Sequence, residues 1–350
     1  MAGRKPKLPV VALPVWRELL NAATAFRQAK PWEFLNDSDV FALVDEDGRP
    51  WFPSVLGAAG QVFGLALYRG EAGLRFLKET SLTLEESPHD ALYLQDALLM
   101  DWGPKQALSP EELSLLSALG HRPKPRERNA WPCYRSHSPG WVPWHLDESE
   151  AKSLAAGLQA TLACAQLARR QPDFFAPCIG NEHLLPTVEI AATRSGRLVS
   201  DKIEWRQWLV PPLPVPPPVA FPESWAKLAR RSGSPSLVLE FDIFHALMPT
   251  LDADRPFFPR LAMLVDGRTG YIYGMDLATP NQSWAEMVTT SWHKVLSALR
   301  VRPKAIAIRR AEWRDALLPL AEGLGIELIL VAELPAIDEA RDAMVSQLGG

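Results

Sequence analysis

The residues of this chain that could do chemistry are few and dispersed. Seven histidines (His89, His121, His137, His145, His183, His245 and His293) include no HxxxH or HExxH pair that would put two imidazoles on one helical face for zinc. His137 and His145 with Cys133 come nearest in sequence, beside Tyr134 and Arg135. Packed or exposed side chains are the favoured reading of them, and no metal is expected. Cys133, Cys164 and Cys178 show no CxxC spacing, and their odd number argues against a disulfide framework and for reduced thiols. A serine elbow of the GxSxG kind is missing, as is a cysteine-protease signature. Cys164 falls in an amphipathic segment and reads as core, which leaves Cys133 as the better candidate for a reactive thiol. Gly57, Gly60 and Gly64 fit neither the GxGxxG nor the GK[ST] phosphate pattern. Tight turns or close packing explain them, and no cofactor is expected.

The strongest binding signal is the run Arg122, Lys124, Arg126 and Arg128, which could contact phosphates as point charges and forks. Trp131, Tyr134, Trp141 and Trp144 follow, and aromatic rings beside cations are what stacking on single strands requires. These eight residues form the candidate binding surface; the competing reading is a solvated loop running into an aromatic core. Arg300, Arg302, Lys304, Arg309, Arg310 and Arg314 make a second positive cluster, diluted by Glu312, Asp315 and Glu322.

The elements that must position these groups follow from periodicity. Trp16, Leu19, Leu20, Ala23 and Phe26 recur at helical spacing before Pro31. Two extended runs then flank the turn Asp45-Glu-Asp-Gly48, a strand FGLALYRG precedes a helix from Glu71, and ALYLQDALLMDW reads as another strand. Ser109-Pro-Glu-Glu opens a helix, WPCYRSHSPGWVPWHLD reads as a packed loop, and Asp147 or Ser149 caps a helix from about Glu148 to Arg170. A hairpin turning at Ser195-Gly196 closes this half. Seven prolines between 209 and 222 favour an extended spacer. Beyond a helix near Ser224 to Arg231, the second half reads as a β-meander turning at Asp266–Gly270, followed by helix, strand, helix, strand, helix.

At 350 residues with 47% apolar and 22% charged side chains, the chain exceeds one ordinary core and is neither disordered nor fibrous. The expected class is α+β: an N-terminal α+β domain over residues 1–208, a linker over 209–222, and a C-terminal mixed β/α, three-layer-like domain over 223–350. A net charge of −4 carries no global instruction toward nucleic acid. Pro9 and Pro14 interrupt the apolar N-terminal run, so no signal peptide is read, and no run approaches the roughly 20 apolar residues of a membrane span. A cytoplasmic location is expected.

The blocks AFRQAKPWEFLNDSDVFAL, SVLGAAGQVFGLALYRGEAGL and RPKPRERNAWPCYRSHSPGWVPWHLDESEA resemble an uncharacterised bacterial family built from two domains of unknown function. LEFDIFHALMP, RPFFPRLAMLVDGRTGYIYG and RPKAIAIRRAEWRDALLPLAEGLGIEL resemble its second domain. That resemblance implies two modules and supplies no site residue. The C-terminal half is also similar to the ribonuclease H-like fold, whose clustered carboxylates hold two metals. The resemblance would make Asp266 the first-strand acid and Glu339 or Asp342 the helical one. KAIAIRR departs from it, ending in Arg309 and Arg310 where an acid is wanted. The expectation is a non-catalytic binding or adaptor protein, with catalytic residues unknown and a protein partner on the Arg122–Trp144 loop and the hairpin ending at Trp208. Alternatives are a metal-dependent nucleic-acid-processing enzyme and a nucleic-acid-binding module without chemistry.

Overall fold

The computed structural model describes residues 8–36, 39–86, 93–124, 126–171, 173–181, 183–193, 198–210, 216–219, 221, 230, 236–246, 248–251, 255–299 and 301–348. The turn expected at Ser195-Gly196, almost all of the helix expected at 224–231, His89, Arg300 and several linker prolines lie outside them. The fold is α+β, in two compact units. One runs through Pro139 and again from Pro143 to Pro211; the other takes Gly140–Val142 and the chain from Pro212 on.

In the first unit a seven-stranded sheet is ordered β5-β4-β3-β2-β1-β6-β7. Its strands are β1 (Ala42–Val44), β2 (Pro50–Leu56), β3 (Gly64–Arg69), β4 (Ala97–Gly103), β5 (Trp131–His137), β6 (Leu184–Glu189) and β7 (Ile203–Gln207). All neighbours are antiparallel except β1 and β6. The helices are α1 (Leu13–Ala29), α2 (Gly70–Glu86), α3 (Pro110–Ala118) and α4 (Glu148–Arg170). Strand alternation divides the core between the two faces. Leu65 and Leu67 of β3 pack with Phe26 of α1 and Leu154 and Leu158 of α4, while Ala66 and Tyr68 pack with Leu74 of α2. With both faces covered, β3 reads as a continuous apolar run. Ser109 and Asp147 each close a capping box with Glu112 and Glu150, which is why α3 and α4 start where their sequences say.

The segment from Trp131 to His137, expected as loop, is a strand. Its burial alternates along its length, with Pro132, Tyr134 and Ser136 inside. As β5 is a sheet edge, Pro132 costs no ladder hydrogen bond on its open side.

The second unit has a five-stranded sheet ordered β10-β9-β8-β11-β12. β8 (Val238–His245), β9 (Arg260–Asp266) and β10 (Ile272–Ala278) form an antiparallel meander. β11 (Ala305–Ile308) and β12 (Glu327–Leu330) continue parallel to β8. Helices α5 (Trp284–Ala298) and α6 (Glu312–Leu324) cover one face through Leu239, Phe241 and Ile243, and α7 (Pro335–Leu348) covers the other. Part of the proline-rich stretch packs against this unit. Val219 is 1% exposed and its N–H donates to the Ala316 carbonyl at 2.8 Å, since an apolar side chain among prolines still gains by burial.

Candidate functional site

Strand β8 carries two acids, Glu240 and Asp242, on the face that meets α7. The parallel register sets Ala307 beside Glu240, so the next outward position, Arg309, comes level with Asp242. Arg309 Nε donates to Asp242 Oδ2 at 2.8 Å and its Nη1 to Asp338 Oδ1 of α7 at 2.8 Å. Arg310 Nε lies 3.4 Å from Asp242 Oδ1, which also accepts the Ile243 N–H. The Asp242 side chain has 0% exposure. Burial works against the charge on Arg309, but Asp242 and Asp338 outweigh it and hold its proton more firmly than usual. Glu240 Oε2 accepts the Ile337 N–H in the first turn of α7 at 3.0 Å, and burial pushes its pKa up. Two carboxylates therefore share one guanidinium at the ends of the parallel strands, where a cation of a catalytic centre would need open oxygen ligands.

The acids singled out from sequence are placed elsewhere. Asp266 ends β9 and is committed to the hairpin turn: Oδ1 accepts the Arg268 N–H at 3.0 Å and Oδ2 the Thr269 hydroxyl at 2.7 Å. Burial would raise its pKa, yet these donors hold it below the usual carboxylate range. Glu339 and Asp342 stand exposed on α7. Among the described residues no three His, Cys, Asp or Glu side chains are arranged to hold a metal ion. Sequence reasoning passed over Glu240 and Asp242. The signal was two acids at alternate positions of an otherwise apolar strand, which must find partners wherever that face is covered. Of the second basic cluster, Arg302 donates to the Leu324 carbonyl, and Arg309 and Arg310 belong to the buried network.

In the first unit, β5 and α3 gather a second polar group. Arg135 donates to both oxygens of Glu112, and His145 Nδ1 lies 3.6 Å from Glu112 Oε1. On the neighbouring strand Asp101 pairs in register with Cys133. Burial, reinforced by Asp101 and Glu112, pushes the Cys133 thiol up to about 12, and Cys164 is fully buried with its pKa likewise raised. A thiol raised this far is almost entirely protonated at neutral pH, and the thiolate is the reactive form. Cys133 should therefore resist iodoacetamide at pH 7.5, alkylating at least about 100-fold more slowly in the native than in the urea-unfolded chain. Site-resolved mass spectrometry reads this, and equal rates would remove the inert-thiol assignment.

Residues 16–185 match the family model described as Domain of unknown function (DUF7309), and residues 224–345 match that of Domain of unknown function (DUF6930). The chain joins one of each. No curated protein matches it. The ribonuclease H-like resemblance is not among these matches.

The DUF7309 domain divides the eight residues of the expected binding surface. Tyr134 is 7% exposed inside β5, its ring 5.8 Å from that of Trp16. Trp141 belongs to the unit that contains the DUF6930 domain, where it bridges to Phe257 with the Arg255 guanidinium over its ring. Trp144 is half-buried and pairs with Ser136. Trp208 is half-buried too, edge-on to Phe52, with Nε1 donating to Thr187 Oγ1 at 2.9 Å. Arg122 donates to the Ser117 and His121 carbonyls at the end of α3. Lys124, Arg126 and Arg128 are exposed, and the fold gives Trp131 neighbours that the sequence did not indicate. Trp131 lies under Lys105 Nζ at 5.7 Å and edge-on to His121, which in turn meets Trp102 under Arg27. Arg126 holds φ at +70°, a left-handed conformation costing roughly 1 kcal/mol for a side chain of this kind.

Proposed function

We propose that the protein is a non-catalytic binding protein whose DUF7309 domain takes single-stranded nucleic acid. The observation that carries the reading is the half-buried Trp131 ring under the exposed Lys105, a few residues along the chain from the exposed Lys124, Arg126 and Arg128. Glu127, the acid within this loop, is engaged by Arg27 at 3.1 Å, so the loop keeps its positive balance. An ammonium over an indole contributes about 0.5–1 kcal/mol. A stacked base contributes about 1–3 kcal/mol, so a base can displace Lys105 from the ring toward a phosphate. A protein partner is less well supported on this face. Among the described residues, none of the exposed large apolar side chains falls between 121 and 146. The non-catalytic half of the proposal rests on the neutralisation of Asp242 and Asp338 by Arg309.

Fluorescence anisotropy with labelled single-stranded DNA and RNA tests the reading. Four phosphate contacts predict an affinity loss of about 50-fold between 50 and 200 mM salt. The triple substitution Lys124→Glu, Arg126→Glu and Arg128→Glu should abolish binding, and Trp131→Ala should weaken it by about 5- to 100-fold. Salt-insensitive binding, or none at low salt, removes the nucleic-acid reading. Strand cleavage in Mg²⁺ or Mn²⁺ would remove the non-catalytic one.

A further inference from the structure

The DUF7309 domain holds a cavity of about 120 Å³ between the start of α1, the first turns of α3 and strand β5. That is somewhat less than the roughly 150 Å³ that admits benzene. Most of the wall is apolar, including Trp16, Leu116 and Leu146, and the polar groups are Glu111, Glu112, His145 and the hydroxyl-bearing Tyr134. Among the described residues, neither lysine nor arginine lines it. The ligand space is thus apolar along most of its surface and acidic on one side.

Glu112 and His145 are held in accepting states at neutral pH. Burial opposes the charge on Glu112, but the Arg135 guanidinium behind it and the Ser109 N–H outweigh that and hold its pKa low. Burial lowers the pKa of His145 despite the nearby carboxylate, leaving a neutral imidazole with one lone pair. The Tyr134 hydroxyl has no hydrogen-bond partner among the described residues, although the side chain is 7% exposed. An ammonium brings three N–H donors and no acceptor, and the Glu112 carboxylate and the neutral His145 ring in the wall both accept. The Trp16 and Tyr134 rings, 5.8 Å apart, add faces that attract a cation.

We propose that this cavity binds a primary ammonium group carried on a short aliphatic chain. The group could arrive on a free amine or on a lysine side chain, and the test separates the two. Isothermal titration of the full chain with n-butylammonium chloride should give saturable binding with a Kd on the order of 1 mM, within reach of roughly five heavy atoms. Butanol and butyrate, with the same body but no positive charge, should bind at least about tenfold more weakly. Nα-acetyl-lysine methylamide binding as tightly as the amine assigns the site to protein side chains; weaker binding assigns it to free amines, and both support the proposal. Trp16→Leu should weaken butylammonium by about two- to fivefold. Glu112→Gln should weaken it by more than about tenfold. Should Glu112→Gln fail to fold, Tyr134→Phe, which removes only the hydroxyl, stands in for it. Butanol binding as tightly as butylammonium, or no heat at about 30 mM amine, overturns the proposal.

Discussion

Arg309→Leu is expected to destabilise the DUF6930 domain by about 3–5 kcal/mol, the cost of leaving a buried carboxylate without its partner. Asp242 has no exposed side-chain surface and its strongest ion pair is with Arg309 at 2.7 Å. Arg310 at 3.4 Å from the other oxygen is too far to replace both contacts. Asp338, 41% exposed on its side chain, stays hydrated and contributes little to the loss. The cost should appear as a lower urea midpoint at unchanged slope. Removing both charges, as Asp242→Leu with Arg309→Leu, should recover stability to within about 1 kcal/mol of the parent, because an apolar pair of similar volume carries no desolvation cost. A single substitution that shifts the midpoint by less than about 1 kcal/mol would show that the guanidinium does not hold this face together.

The second large effect is expected at Gly64, where alanine should cost at least about 3 kcal/mol. A Cβ built there falls on the Met100 carbonyl oxygen and 2.8 Å from the Asp101 Cα. Both are backbone of β4, paired with β3 through five residues, so neither can rotate aside. Relief requires strand separation at the point where Asp101 also pairs with Cys133. Gly60→Ala is the control: φ is +72° with nothing within 4 Å, and the strain alone should cost about 1 kcal/mol. Equal melting temperatures for the two variants would show that the close approach does not constrain the sheet.

Much of this contrast was legible before the fold was known. The spacing of Gly57, Gly60 and Gly64 excluded phosphate loops and pointed to tight turns and close packing. Gly60 takes the positive φ of a turn, and Gly64 the close approach between strands. Ser109 with its first-turn acids announced α3, and the cap of α4 was narrowed to Asp147 or Ser149, of which Asp147 closes the box with Glu150. The meander followed by alternating helices and strands was legible because each element is set by its own periodicity and ended by its own turn.

The binding loop was legible only in its charges. Whether Tyr134 is presented or buried depends on β5 pairing with β4, and the alternation of Pro, Tyr and Ser along WPCYRSH is too mixed to mark a strand by itself. Lys105 reaches Trp131 from a different segment, and no pattern within 122–144 encodes that.

By itself the sequence determined the α+β class, the two modules, most element positions and the absence of familiar catalytic motifs, because these depend on side chains a few residues apart. Tertiary structure alone decided that Arg309 neutralises Asp242 across 67 residues, that Glu240 meets the start of α7 across 97, and that Trp141 packs against Phe257. Such pairings are set by sheet order and register. Neither partner's local sequence carries the identity of the other, and they meet only when burying the apolar faces brings their strands and helices together.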